Sequence, residues 1–432
     1  MRFRVDVEVQ HVFNLNILNE QSLIPLGQDK KSRREQQSIQ KSSITSKPQY
    51  FHINFQRCEI GLIINCKIKM TLEIQKKEAS IDTIMTKSKK NNSSLKATLT
   101  IDDIVAKDID TFLINPHSKW CSELLTEVAI REGVFTMDDK EALAEWLDTV
   151  DISNHVYPYA SKSTLKIAAL WINWLFKLDD HYDTGKEFGT DIERVRTLME
   201  QVLSVVTTGE IPEDTPFWRL GKVLYGWIKE ETSLMWQARF VSEVSQYLFR
   251  GSFLHMKHWK ENTILTLEEF IPIREWDTAG MTCLVTAELC GDCVLPPSLY
   301  YDAGMERLRH LCTKHLGLLN DIFSYNGEIN NNGSVWNCVH LIMFGEDVPL
   351  TLPQSVHLAV EIVNTSNLDF EQAAREVLAD PYMSSFQDII QRYIYVLQQW
   401  MVGHVKFCQH CARYSDPLDP TAIRPESLQY LK

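Results

Sequence analysis

A chain of 432 residues, 44% hydrophobic and 23% charged, can bury one large core or two ordinary ones. No apolar run reaches the roughly 20 residues a membrane helix requires, and the start "MRFRVDVEVQHVFNLNIL" already carries Asp6 and Glu8 instead of the apolar stretch of a secretory leader. Residues 1–100 hold 17 Lys and Arg against 9 Asp and Glu, and the remainder 27 against 48; so acidic a body argues against nucleic acid as the main partner.

A cytoplasmic protein without stable membrane insertion is therefore expected, its ten cysteines reduced and mostly buried. Cys290 with Cys293 and Cys408 with Cys411 have zinc-like spacing. Because the pairs lie far apart, and the second inside a helical pattern, ordinary thiols are the expectation.

Residues 1–105 read as an appended arm with no catalytic role. "RFRVDVEVQHVFNLNI" and "CKIKMTLEIQ" alternate at period two, as short strands do, and the polar, basic segments between and after them suit disorder. From 106 to 415 the texture changes. Apolar residues recur at helical spacing in "CSELLTEVAIREGV", "KEALAEWLDTV", "STLKIAALWINWLF", "ERVRTLMEQVLSVV", "FVSEVSQYLFRGSFLHMKHW", "ERLRHLCTKHLGLLNDIFSY" and "FQDIIQRYIYVLQQWMVGHVKFCQHCARY". Prolines such as Pro158, Pro216 and Pro353 fall between these runs as loops or helix starts. No glycine-rich phosphate loop and no βαβ alternation appears, so the body is all-α; residues 416–432 form a tail.

Two polar clusters interrupt the apolar runs. In "WLFKLDDHYDTG", Asp179 and Asp183 stand four apart and share a helix face, while Asp180 points about 100° away. Such a pair destabilises a helix unless a cation compensates it, and carboxylate oxygens suit Mg²⁺. A solvated helix end would look similar, but the flank "LWINWLF" is too apolar for an exposed face. In "LLNDIFSYNGE", Asn320, Ser324 and Glu328 follow at steps of four, drifting only about 40° per step, so an amide, a hydroxyl and a carboxylate line one side of a helix.

Together these clusters resemble the class I terpene synthases of the single-domain microbial type found in bacteria, fungi, amoebae and corals. Arg274 lies 46 residues before Asn320, where that family has a diphosphate-sensing arginine. "REWDTAG" continues with Asp277 and Thr278 at the linker and effector positions, with Gly280 where the helix is expected to break. "WMVGHVKFCQHCARY" carries Trp400, Gly403, Arg413 and Tyr414 at the family's spacing, with His404 in place of Asn and Phe407 in place of Trp. "INPHSKW" and "YPYASKSTL" resemble the opening segments. Gly327 stands where a lysine is common.

The resemblance, spanning about residues 112 to 415, implies a helical bundle around a central apolar cavity. It implies that Asp179, with Asp183 as an outer ligand, holds two Mg²⁺ ions and that Asn320, Ser324 and Glu328 hold a third, Mn²⁺ being the alternative ion. Arg274, Arg413 and Tyr414 would bind the diphosphate, and Asp180 would pair with an arginine. Phe176, Trp174, Trp276, Phe323, Trp400 and Phe407 are the candidate aromatics for the pocket, Phe176 and Trp400 first among them.

The implied reaction is Mg²⁺-dependent ionisation of farnesyl or geranylgeranyl diphosphate followed by cyclisation to a sesquiterpene or diterpene. A chain-elongating prenyl transferase is the enzymatic alternative, although that activity uses a second DDxxD cluster. A non-catalytic isoprenoid-binding helical protein is the alternative of another class. No DxDD motif is present for class II cyclisation. Homodimers are common among such proteins.

Overall fold

The computed structural model describes residues 113–183, 191–261, 263–328, 336–345, 349–411 and 414, without the side chains of 180–183 and 410. The arm expected over 1–105, the boundary at 105/106 and the tail 416–432 lie outside the described residues. Among those described there is no strand, as the helical spacing predicts, and no helix is long and apolar enough to cross a membrane.

In chain order the helices are α1 (Ser118–Arg131), α2 (Lys140–Val156), α3 (Lys162–Asp183), α4 (Ile192–Thr208), α5 (Pro216–Glu231) and α6 (Leu234–Gln246). A π-turn (Tyr247–Ser252) runs into α7 (Phe253–Glu261), followed by α8 (Leu267–Asp277) and α9 (Gly280–Cys290). After a single turn at Pro297–Tyr300 come α10 (Ala303–Gly327), α11 (Cys338–Phe344), α12 (Leu352–Ala379), a 3₁₀ turn (Pro381–Phe386) and α13 (Gln387–His410). Local chemistry sets many of the starts. The side chains of Asp139, Asp191, Ser233, Asp302 and Asn337 accept backbone N–H bonds at helix N-termini, and Thr266 with Glu269 closes a capping box on α8.

Two helices are buried nearly all round. In α9 every residue from Gly280 to Glu288 is buried, and in α3 so is every residue from Ile167 to Leu175. Helices of this kind belong in the middle of a bundle, and α9 packs against α3, α6, α10 and α13. Several polar groups in this part of the core are paired. Trp171 Nε1 donates to Thr282 Oγ1 at 2.9 Å, Trp236 Nε1 to the Val285 carbonyl at 3.0 Å and Trp174 Nε1 to the Phe217 carbonyl at 3.0 Å. The buried Glu288 pairs with Arg239, whose guanidinium lies 4.0 Å from the centre of the Tyr300 ring.

The structure departs from the helical pattern at two places, each beside the cavity described below. The run "FVSEVSQYLFRGSFLHMKHW" is not one helix: it opens into the π-turn at Tyr247–Ser252. There Gly251 lies so close to the end of α8 that a Cβ would come within 2.5 Å of the Asp277 backbone nitrogen. The break in "REWDTAG" falls one residue earlier than expected. It is Ala279 that takes the left-handed conformation, at φ 54°, and Gly280 already begins α9. Gly280 serves close packing instead, since a Cβ there would meet Thr313 Cγ2 at 2.8 Å.

A second close approach joins α13 to α2. A Cβ on Gly403 would lie 2.5 Å from the His155 carbonyl oxygen and 3.1 Å from Val156 Cα. Backbone cannot rotate away as a side chain can, so Gly403→Ala should destabilise the protein by about 1–3 kcal/mol. Urea unfolding measures this; an unchanged midpoint would mean that the two helices separate without cost.

Candidate active site

One face of α3 leads into a cavity that is open at its mouth. Ile172, Leu175, Phe176 and Asp179 border it, at offsets of three, four and seven residues, which is one helix stripe. The apolar members come first and the carboxylate last, so the stripe passes from oily wall to acidic rim. Across the cavity α10 contributes Leu316 and Asn320, with Glu328 one residue beyond the helix end. Helix α13 contributes Trp400 and His404, and Tyr414 follows after the helix stops. Asp179 from the first cluster thus borders the same hollow as Asn320 and Glu328 from the second.

The buried guanidinium of Arg274 ties the second cluster together. Its Nε donates to Asp321 Oδ1 at 2.8 Å, Nη2 to Asn320 Oδ1 at 2.8 Å and Nη1 to Asp277 Oδ2 at 3.4 Å. Gly317, one turn before Asp321, leaves room for it: a Cβ there would sit 3.2 Å from Arg274 Cγ. Asn320 Nδ2 donates to the Tyr414 hydroxyl at 2.7 Å, and Ser324 Oγ to Glu328 Oε1 at 2.6 Å. Beyond these, Asp321 accepts from the Cys338 N–H at 2.8 Å, while Asn337 Nδ2 reaches both the Asp321 carbonyl and Glu328 Oε2. Asp277 Oδ2 also accepts from Trp336 Nε1 at 2.9 Å and lies 3.2 Å from His255 Nδ1.

The electrostatics follow from burial and neighbours. Burial alone would weaken the Arg274 cation, but Asp321, Asp277 and Glu328 together hold its proton more firmly than usual. Burial would likewise raise Asp277, yet His255, Arg274 and Trp336 overcome it and hold the carboxyl at about 2. Glu328 moves the other way. Burial and the charge of Asp321 push it up to about 7, against the pull of Arg274, Ser324 and Asn337. Raised in this way, the Glu328 carboxyl stands beside an amide oxygen and a hydroxyl from the preceding turns. That donor set fits a hard divalent cation, which displaces the proton and takes oxygen ligands only.

The remaining sequence candidates fall in three groups. Thr278 borders the cavity together with Asp277 and Arg274, and Ser324 reaches it through Glu328. Trp174 belongs to the core, stacked on Phe217 at 5.3 Å; Trp276 faces His310 and the Arg250 guanidinium. Phe323 and Phe407 both pack near Tyr414, with ring centres 6.2 and 6.1 Å away. None of these four is part of the cavity wall. The side chains of Asp180 and Asp183, and the whole of Arg413, lie outside the described residues.

Asp321, Trp336, Asn337 and His255 were not singled out from the sequence. Only Asp321 carried a signal, standing directly beside Asn320. Among the described residues, no cluster of three or more His, Cys, Asp and Glu is arranged to hold a metal, and the cysteine pairs are buried thiols.

The chain is similar to known proteins in sequence and in fold. Residues 170–367 match the family described as terpene synthase family 2, C-terminal metal binding. Pristinol synthase of Streptomyces pristinaespiralis is 24% identical over 319 residues, covering 70% of this chain and 82% of that protein. Terpene synthase 1 of Physarum polycephalum is 23% identical over 70% of this chain and 89% of its own length. The (+)-T-muurolol synthase of Roseiflexus castenholzii, described as (2E,6E)-farnesyl diphosphate cyclizing, is 24% identical over 70% and 90%. Among solved structures, a variant of cucumene synthase superposes with a TM-score of 0.61 at 17% identity, covering 71% of this chain and 99% of that one. Linalool/nerolidol synthase from Streptomyces clavuligerus gives 0.59 at 15% identity, covering 70% and 99%. Over residues 170–367 the chain is thus similar to the terpene synthases in sequence, its curated relatives are microbial terpene synthases, and the solved structures share its helical fold.

Proposed function

We propose that this protein ionises farnesyl or geranylgeranyl diphosphate and closes the resulting carbocation into a cyclic sesquiterpene or diterpene. One observation carries the reading: Asp179, Asn320 and Glu328, from distant parts of the chain, border a single hollow that also has an aliphatic and aromatic wall. Asp179 and Asp183 on one side, and Asn320, Ser324 and Glu328 on the other, would hold Mg²⁺ ions, three in all by family resemblance, with Mn²⁺ an alternative. When bound, they supply positive charge where negative charge develops on the departing diphosphate.

The chain's own groups act around that charge. A guanidinium has five N–H donors, and Arg274 spends three of them within the protein. The other two suit an anion entering the cavity. Tyr414 accepts from Asn320, which places its hydroxyl beside the second ligand cluster. Arg413, adjoining it in sequence, is a further candidate for the diphosphate. Asp277 binds no substrate in this reading; it orients Arg274 from one side while Asp321 does so from the other.

Behind the polar rim, Ile152, Ile172, Leu175 and Leu316 keep water from an allylic cation. The rings of Phe176 and Trp400 offer it negative faces worth roughly 2 kcal/mol or more when desolvated. Chain elongation is less well served, because Asn320, Ser324 and Glu328 give the second site one formal charge where a DDxxD site has three. A passive binder has no use for two sets of metal-type ligands.

Incubation with each prenyl diphosphate, with and without isopentenyl diphosphate and with Mg²⁺ present or chelated, tests the reading. Cyclic hydrocarbon or alcohol from one substrate, only with Mg²⁺, is expected; longer diphosphates or no turnover would contradict it. Asp179→Ala and Asn320→Ala should each lower turnover at least about a hundredfold, and retention of most activity in either would remove the metal assignment. Asp321→Asn leaves Arg274 buried with one carboxylate fewer. It should destabilise the fold by about 3 kcal/mol and slow diphosphate release, as thermal melting and a phosphate-coupled assay would report. A variant as stable and active as the parent would mean that Asp321 does not position Arg274.

A further inference from the structure

His404 borders the cavity, yet it belongs neither to the polar rim nor to the apolar wall. It lies on α13 one turn beyond Trp400, about 6 Å along the helix axis, so the two rings share a face. Trp400 is backed by the Tyr157 ring at 5.3 Å, and Tyr157 is anchored by its hydroxyl to the Cys283 carbonyl and Thr286. Toward its other end α13 leads to Tyr414 and the Asn320 amide. His404 therefore stands between the aromatic floor and the diphosphate end, where the hydrocarbon part of a substrate lies.

The ring is 7% exposed, and Nδ1 is closed off in protein without a hydrogen-bond partner. Leaving a buried polar atom unpaired costs about 1–3 kcal/mol. A leucine or phenylalanine would fill this position without that cost. Gly403, beside it in sequence, presses on the α2 backbone, so the helix position is fixed. Burial, the neighbouring His315 and the Arg274 cation hold the His404 imidazole down at about 3, so at neutral pH the ring is uncharged and keeps a nitrogen lone pair.

We infer that His404 is the base that ends the cation cascade, taking through Nε2 the proton whose loss forms the final double bond. This rests on the function proposed above. The step balances: the C–H bond beside the cationic carbon breaks, its electron pair becomes the new π bond, and the proton goes to the imidazole lone pair. The products are a neutral olefin and an imidazolium. A carbocation is a far stronger acid than imidazolium, so transfer is downhill even to so weak a base. The same environment that keeps the ring neutral then drives the proton off to water as product leaves, restoring the base.

The test follows olefin products and released diphosphate separately in His404→Phe and His404→Gln, with Mg²⁺ and the substrate that the parent turns over. In both variants the share of the parent's main olefin should fall at least about tenfold, replaced by alkenes formed by proton loss elsewhere or by alcohols, while diphosphate release falls less than about threefold. His404→Gln, close in size, carries the test if His404→Phe does not fold, as melting curves would tell. An unchanged main-olefin share in His404→Gln would overturn the inference. So would diphosphate release falling in step with every product, a parent that makes only an alcohol, or a prenyl group found attached to His404. A parent that releases no diphosphate from either substrate would overturn the underlying function instead, before any variant is made.

Discussion

A single buried cation holds the site in register. Arg274 comes from the last turn of α8, yet its partners Asn320 and Asp321 lie on α10 and Asp277 at its own helix end. A guanidinium in low dielectric is costly unless its donors are met with good geometry, so these elements are bound to a common point. Asp321 passes the constraint on to α11 through the Cys338 N–H, and Asn337 links the same place to Glu328. Asn320 passes it to Tyr414 beyond α13. A ligand that draws on the two remaining Arg274 donors is therefore felt at Asn320, Asp321 and Tyr414.

Around this polar knot three close approaches help to set the bundle. Gly251 brings the π-turn against Asp277, Gly317 admits Arg274, and Gly403 lets α13 lie on the α2 backbone. Each removes a Cβ where two pieces of backbone, or backbone and the Arg274 stem, need the space. The left-handed Ala279 turns the chain from α8 directly into α9, so that Thr278, Ala279 and Gly280 reach the cavity as backbone-rich wall between the guanidinium and the apolar floor.

The helical body was legible because its signal is periodic: runs at 3.6-residue spacing between prolines became helices, with ends set by capping side chains. The two polar clusters were legible for the same reason, since steps of four keep side chains on one face. What spacing cannot give is which face meets which neighbour. Trp174 and Phe176 are two residues apart and so point to nearly opposite sides of α3; one stacks on Phe217 in the core and the other borders the cavity. Trp276 and Asp277 divide in the same way. Asn337 and Trp336 lie near α11, and their partners Glu328, Asp321 and Asp277 are chosen by tertiary packing. The π-turn was hidden in an apolar run that an unbroken helix would fit equally well.

The account depends on oxygens of α10 and its C-terminal edge holding a cation while Arg274 turns toward an anion. The most direct measurement is a crystal structure with Mn²⁺ and inorganic diphosphate, with the metal located by anomalous scattering. The account predicts a peak bonded to Asn320 Oδ1, Ser324 Oγ and the Glu328 carboxylate, with the diphosphate between it and the Asp179 carboxylate and within hydrogen-bond reach of Arg274. Mn²⁺ absent from those three oxygens, with Ser324 still donating to Glu328 and the diphosphate bound elsewhere, would contradict it.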